Sequence, residues 1–428
     1  MILVSKSPNN VTTLLLRNGG LQARIRIANW NKEDLKSRWI LDSYNRLIIS
    51  HKIIFMLSNL FFTSLFATII LILVLYPFAL KIGFTDNPSL RKQHDEPIPP
   101  IGGIAIFLGI LITLLFNGIN LPHQTAFIFA MTLLVFVGGI DDHRGLSVKI
   151  RIIAQIIAGL IMTEIAEIKI IELGDLLGFG NIELGGYSTA FTVFAVVGGI
   201  NAFNMIDGID GLAGGSTLIA IITIALLAWF FEHWILLYFC IIFVGAIIAF
   251  LLFNLRIFGR ERASIFLGDS GSTLLGFTVC WLGISASQGE VGMITPTIVL
   301  WIIALPLFDS ICIMARRIQR GQSPFAPDRE HLHHILHLEG FSINKTLVTL
   351  LTFSLLLSVA GVTASLYFGI SDRPLFIIYL FLFAGFYWAI NKRVSDRRKI
   401  IIPIDGPDRR KLPDRRSQTQ KKDTPTET

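Results

Sequence analysis

Four short polar clusters interrupt an otherwise apolar chain, and each carries side chains suited to phosphate or hard-cation chemistry. Asp141 and Asp142, in VGGIDDHRGLSVKIR, are adjacent carboxylates whose mutual repulsion calls for a nearby positive group. Arg144, Lys149 and Arg151 can meet that need structurally; a metal or a cationic ligand is the functional alternative. The stretch NAFNMIDGIDGLAGG at 201–215 offers Asn201, Asn204, Asp207 and Asp210. Their spacing of three places them on one side of a helical turn. Gly208 and Gly211 allow tight turns or close backbone approach. A ligand set made only of oxygens suits a hard cation such as magnesium. Helix capping followed by a turn is the structural alternative.

In FLGDSGSTLLG, Asp269 opens an apolar run. Asp269 or Ser270 can act as an N-cap, and the free amides of a helix start can also receive a phosphate. Phe266 is placed to stack on a base, and Arg256, Arg260 and Arg262 precede it as phosphate ligands. The fourth cluster, APDREHLHHILHLEGFS, holds Arg329, His331, His333, His334 and His337. Zinc, a diphosphate and plain solvation are the three readings of these histidines. Asp309, in LPLFDSICIMARR, lies about 10 Å of helix inward from Arg316, where a carboxylate must face protein or a water-filled cavity. It either links helices or pairs with a basic residue to shape a site. The tetrapeptide VGGI precedes both of the first two clusters, at 137–140 and 197–200. Its small residues let helices approach closely and so bring the clusters together.

The elements that must position these residues are membrane helices. Hydrophobic residues make up 53% of the 428 residues and charged residues only 16%, against about 25% charged in soluble domains. Apolar runs of about 20 residues, the length that crosses a bilayer, recur without the alternation of barrel strands. The spans expected are 53–80, 101–118, 124–140, 148–163, 187–203, 211–230, 234–253, 270–286, 294–315, 346–370 and 374–391. The fold class expected is therefore an all-α polytopic membrane protein of about eleven transmembrane helices. Lysine and arginine concentrate in loops 81–100, 141–151, 254–269 and 316–345 and in the tail 392–428, whereas the intervening loops hold only Lys169 and Arg373. The richer set is cytoplasmic by the positive-inside rule, and all four clusters fall on that side. On the other face, IKIIEL and NIEL flank Gly178 and Gly180 and read as a small periplasmic hairpin.

The net charge of +7 resides in membrane-flanking loops and the tail, so it argues for orientation rather than for a nucleic-acid partner. Cys240, Cys280 and Cys312 lie in apolar runs with no disulfide or zinc spacing. Residues 1–52 show no cleavable signal peptide and carry nine Lys/Arg against three acidic residues on what counts as the outer face. Two expectations follow: an extension foreign to the natural protein, with Met56 as initiator, or a basic amphipathic arm on a membrane surface. The tail, with PDRR at 407–410 and 413–416, reads as a basic disordered segment. The domain division expected is thus 1–52, a transmembrane domain at 53–391, and 392–428.

Taken in order, IDD (140–142), NAFNMIDGIDGLAGG (201–215), FLGDSG (266–271) and HLHH (331–334) resemble the polyprenyl-phosphate N-acetylhexosamine-1-phosphate transferases. RKQHDEPIPPIGG (91–103) is similar to that family's first cytoplasmic loop, and PDREHLHH followed by GFS is similar to its bacterial N-acetylglucosamine-1-phosphate branch. The resemblance implies a reaction in a bacterial inner membrane with a cytoplasmic active site. A UDP-sugar, UDP-N-acetylglucosamine on this likeness, and polyprenyl (undecaprenyl) phosphate give polyprenyl-diphosphate-sugar and UMP. The product would start a lipid-linked envelope glycan such as O antigen or common antigen. Magnesium or manganese is implied as cofactor, and a homodimer as the assembly. By motif position, Asp269 and Asn204 would ligate the metal, and Asp141 and Asp142 would orient the lipid phosphate or take its proton. Asp207, Asp210 and Phe266 would face the nucleotide, and Arg329, His331, His333 and His334 would hold the diphosphate. Lys92 and His94 would close the site. A lipid or ion transporter is the rival from another class, suited by Asp309 and glycine-rich helices. Carboxylates clustered at one face rather than at mid-membrane argue against it.

Overall fold

A computed structural model describes residues 2–6, 11–18, 21–28, 35–86, 97–257, 259–289, 291–324 and 330–401. Lys92, His94, Arg329 and the PDRR repeats lie outside the described residues. The chain divides into two compact units, Met1–Phe62 and Thr63–Thr428.

In the first unit, β1 (Ile2–Lys6), β2 (Val11–Asn18) and β3 (Leu21–Ala28) form an antiparallel sheet in sequence order, with Ile2 opposite Leu16 and Val11 opposite Ala28. The expectation of a wholly helical chain fails here. LQARIRIA alternates apolar and polar residues, and Asn18 is followed by two glycines, a hairpin signal that the basic composition had overshadowed. Helix α1 (Leu35–Ile82) begins in this unit.

The second unit is helical, and its described residues contain no further strand. Its helices are α2 (Gly102–Asn117), α3 (Gln124–Arg144), α4 (Val148–Leu160), α5 (Ser188–Ile206), α6 (Leu212–Phe230) and α7 (Trp234–Asn254). There follow α8 (Gly268–Ser287), α9 (Pro296–Ile302), α10 (Ala304–Gln319), α11 (Leu332–Leu338), α12 (Ile343–Leu366) and α13 (Asp372–Ile401). A π-helical turn, Ile161–Ile165, prolongs α4. Helix occurs in every expected span, but the count of eleven is not met by length and composition. Among the described residues, seven helices are long and apolar enough to cross a membrane, or eight if α9 and α10, bent by 80°, form one span. α2 and α4, with 16 and 13 residues, are shorter than the roughly 20 that a bilayer requires. α8 is long enough but rich in Gly, Ser and Thr, and almost all of it is buried. It packs against α2, α3, α5, α6, α7 and α9, so its surroundings are protein, and an apolar surface is not demanded of it.

Small residues let the neighbours of α8 approach it closely, α2 and α3 to backbone contact. A Cβ on Gly103 of α2 would strike the Gly271 backbone, one on Gly138 of α3 would strike Ser270, and one on Gly199 of α5 would strike Cys280 Sγ. Each VGGI tetrapeptide thus spends one glycine on α8, while Gly139 and Gly198 face open space. The motif docks both polar clusters onto one shared helix rather than onto each other. Because successive helices alternate in direction, the C-terminal ends of α1, α3, α5 and α7 gather with the N-terminal ends of α2, α8 and α12.

At the opposite end, the expected hairpin is reduced to one antiparallel bridge, Glu172 to Glu183. The Asp175 carboxylate accepts the Gly178 and Gly180 amides at 2.7 and 3.0 Å and closes the turn. Gln288, just past α8, accepts from the Ile171 amide at 2.9 Å and donates to the Glu172 carbonyl at 3.0 Å.

Candidate active site

The gathered helix ends enclose a cavity of about 1360 Å³. Asp141, Asp142, Asn204, Asp207, Asp210, Phe266, Asp269, His333 and His334 all line it, together with Arg256, Arg260 and Arg262. Pockets for one small ligand run to about 300–1,000 Å³, so this volume admits two substrates side by side.

The start of α8 organises one wall. Gly268 has φ +76°, and a Cβ there would lie 2.6 Å from Asp142 Oδ2, so only glycine suits the position. Asp142 accepts the Asp269 amide at 2.7 Å and the Ser270 amide at 3.2 Å. The helix is therefore capped by a carboxylate from α3, not by Asp269 or Ser270, and those two amides are not open to a phosphate. The Asp269 side chain is left to point elsewhere: its Oδ1 accepts from Asn204 Nδ2 at 2.6 Å, and the same amide nitrogen reaches Ser272 Oγ at 2.8 Å. Of the three basic residues near Asp141, Arg151 on α4 provides the partner, with Nη1 3.1 Å from Asp141 Oδ2 and 4.0 Å from Asp269 Oδ2. Arg144 and Lys149 are exposed.

The second wall is the turn between α5 and α6. Asn204 and Asp207 face the cavity, but Asn201 turns away and donates to Gln155 Oε1 of α4 at 2.7 Å. Gly211 adopts φ +84°, and its amide donates to Asn254 Oδ1 at 2.7 Å, while Asn254 Nδ2 donates to the Ile265 carbonyl at 2.9 Å. Asn254 thereby ties the turn to the strand of loop that carries Phe266. Nothing in its local sequence marked it, since an asparagine closing an apolar run reads as an ordinary helix end. Asp210 forms an ion pair with Arg256 at 2.7 Å, so the expected nucleotide ligand and the expected phosphate ligand hold each other.

The histidine cluster forms the third wall. His333 lies against the backbone of Gly208, where a Cβ would collide with its ring. Both ring nitrogens of His333 are buried without a hydrogen-bond partner among the described residues, and the residue is 2% exposed. Burial, then the neighbouring His334 and His331, push it down to about 3, so it stays neutral in the physiological range. His331, expected at the diphosphate, is not on the cavity lining. It is buried behind His333, with Nδ1 2.9 Å from Asp309 Oδ2.

The electrostatics fit a cation. Burial raises the carboxyl of Asp207 well above the ordinary range, with the charges of Asp269, Asp142 and Asp210 adding to it. Burial likewise lifts Asp269, against the opposing hydrogen bond from Asn204, with the Asp141 charge reinforcing the rise. Clustered carboxylates of this kind are relieved by positive charge. Among the described residues no three His, Cys, Asp or Glu side chains stand close enough to hold a metal by themselves. Asp269 and Asn204 offer a carboxylate and an amide, which suits an ion such as magnesium that keeps water and takes further oxygens from phosphates. Toward a bare carboxylate the Asn204 amide presents its nitrogen; toward a cation it would present its oxygen.

The sequence model of glycosyl transferase family 4 matches residues 124–287, which run from α3 to the end of α8. An undecaprenyl-phosphate alpha-N-acetylglucosaminyl 1-phosphate transferase of Salmonella typhi is 37% identical over 341 residues, covering 80% of this chain and 92% of that protein. The protein of the same name from Escherichia coli (strain K12) is 36% identical over 314 residues, covering 73% and 85%. That of Haemophilus influenzae is 33% identical over 330 residues, covering 77% and 93%.

Proposed function

The chain belongs to glycosyl transferase family 4, and on that premise we propose that it transfers N-acetylglucosamine 1-phosphate from UDP-N-acetylglucosamine to undecaprenyl phosphate in a bacterial inner membrane, at a cavity on the cytoplasmic side. The observation that carries the reading is the convergence of Asp141, Asn204 and Asp269, from three separate segments, on one cavity large enough for both substrates. The domain responsible is 53–391.

In the reaction, an oxygen of the lipid phosphate attacks the β-phosphorus of the donor, the bond from that phosphorus to the α-phosphate oxygen breaks, and UMP departs. The second pKa of a phosphate monoester is about 6, so the nucleophile is already largely ionised at neutral pH and no strong base is required. Asp142 is committed to the α8 amides and Asp141 to Arg151, which favours positioning over proton abstraction for this pair. Magnesium, or manganese, held by Asp269 and Asn204 would neutralise charge on the phosphates and on the leaving UMP. Phe266, Asp207 and Asp210 border the nucleotide, with the Asp210–Arg256 pair fixing that border. His333, being neutral, contributes hydrogen bonds to the diphosphate and leaves the positive charge to arginines and the metal.

Purified protein incubated with polyprenyl phosphate, magnesium and a panel of UDP-sugars is expected to release UMP fastest with UDP-N-acetylglucosamine. A faster rate with another N-acetylhexosamine or a deoxy sugar would reassign the donor, and no release from well-folded protein would overturn the reading. His334→Ala is expected to lower kcat/KM for the UDP-sugar by about tenfold or more, the loss of one charge-assisted or strong hydrogen bond, with little change in KM for the lipid. An unchanged donor kcat/KM would remove His334 from the diphosphate site.

A further inference from the structure

Asp309 is a buried carboxylate that lines no part of the cavity, yet both of its oxygens are engaged. Oδ2 lies 2.9 Å from His331 Nδ1, and Oδ1 accepts the amide of Leu332, the first residue of α11, at 2.9 Å. An ionised carboxylate only accepts, so against it His331 donates from Nδ1. The next residue of α10, Ser310, donates to the Ala202 carbonyl of α5 at 3.4 Å. Consecutive residues of α10 therefore fasten α11 and α5, the elements that carry His333 and Asn204.

The His331 ring lies nearly parallel to His333, with centroids 5.4 Å apart and planes at 17°. His333 in turn lies 4.3 Å from His334. Since neither nitrogen of His333 has a partner among the described residues, its orientation is set by what it packs on: His331 and His334 as ring neighbours, and the bare backbone of Gly208. Asp309 holds the far member of that stack.

The geometry points to Asp309 as a positioning residue for the donor side of the site: through His331 and the Leu332 amide it sets where His333 and His334 meet the cavity. The inference rests on the reading that these histidines hold the UDP-sugar diphosphate. A carboxylate is required because two N–H groups must be accepted at once. An asparagine has a single accepting oxygen, so with that oxygen on the Leu332 amide Asp309→Asn presents its NH2 group to His331, and it either loses that bond or forces the ring into the tautomer whose Nδ1 accepts.

The test uses the full chain in detergent or nanodiscs. Asp309→Asn and His331→Ala are each expected to lower kcat/KM for the UDP-sugar by about 10–100-fold, the usual loss when a partner behind a functional histidine is removed, with KM for polyprenyl phosphate little changed. The double variant is expected to be no worse than either single one, because both changes act through one contact. His331→Asn, which restores an N–H near the Nδ1 position, is expected to recover most of the loss. Hydrogen exchange at residues 331–338 is expected to accelerate in Asp309→Asn while the other helices keep their protection. With an active wild-type enzyme, full donor kcat/KM in Asp309→Asn, or losses that multiply in the double variant, would overturn the inference and leave the assigned reaction standing. An inactive wild type would overturn the assigned reaction instead, and unchanged exchange at 331–338 would then overturn the Asp309 contact independently. Should Asp309→Asn not fold, equal impairment of His331→Ala and His331→Asn would reject the proposal.

Discussion

Replacing Asp269 by Asn is expected to lower kcat for UMP release by about 10²–10³-fold, the scale of removing one preorganised electrostatic partner of a developing charge, while the protein stays folded. The fold is spared because the Asp269 amide, not its side chain, meets the Asp142 cap, and because an asparagine oxygen can still accept from Asn204. Stability should hold or rise. Burial and the neighbouring Asp141 charge lift the folded-state carboxyl above its ordinary value, so the native chain binds that proton more readily than the unfolded chain does. Such a group weakens the fold as pH rises through the interval between the two values, and above it the ionised carboxylate is a net cost that Asn removes. UMP release at saturating magnesium and thermal unfolding in detergent measure both effects. Near-wild-type turnover would rule out the metal role of Asp269, and a sharply lowered Tm would show that its charge supports the fold.

Gly138→Val should be the most damaging single change outside the reacting groups, and Gly139→Val should be nearly silent. A Cβ at 138 meets the Ser270 backbone at the start of α8, which cannot move without carrying Asp269 and the Asp142 contact with it. Overpacking a rigid site costs about 1–3 kcal/mol and more where backbone must shift. At 139 a Cβ meets nothing within 4 Å, and the position is partly exposed. A substitution that meets no neighbour at a partly exposed position usually stays within about 0.5 kcal/mol. Tm and UMP release of the two variants, made side by side, separate a helix-crossing requirement from a general need for glycine in this segment. Equal damage from both would refute the close α3–α8 crossing.

The histidine and asparagine clusters also show which inferences a linear reading supports. Apolar runs of helical length locate the helices, because burial in lipid or protein is written into composition over many residues. Alternation of span direction then places IDD, the asparagine cluster, FLGDSG and HLHH at one end, and the cavity contains members of all four. The near-continuous burial of α8 was not legible, since Gly, Ser and Thr lower its hydropathy and hide a central helix among weaker ones. Nor were the N-terminal strands, because a short alternating pattern competes poorly with a conspicuous excess of basic residues.

The sequence by itself determined that this is a helical membrane enzyme of a recognisable family, with its acidic, amide and histidine groups at one set of helix ends. Tertiary structure alone decided their partners. Arg151 rather than Arg144 or Lys149 meets Asp141; Asp142 caps α8 from another helix; Asn201 turns to Gln155 while Asn204 turns to Asp269; and His331 retreats to Asp309. Periodicity reports which face of a helix is buried. Which donor meets which acceptor depends on the rotation and depth at which two helices cross, and those are set by side-chain volumes at distant positions such as Gly103, Gly138 and Gly199.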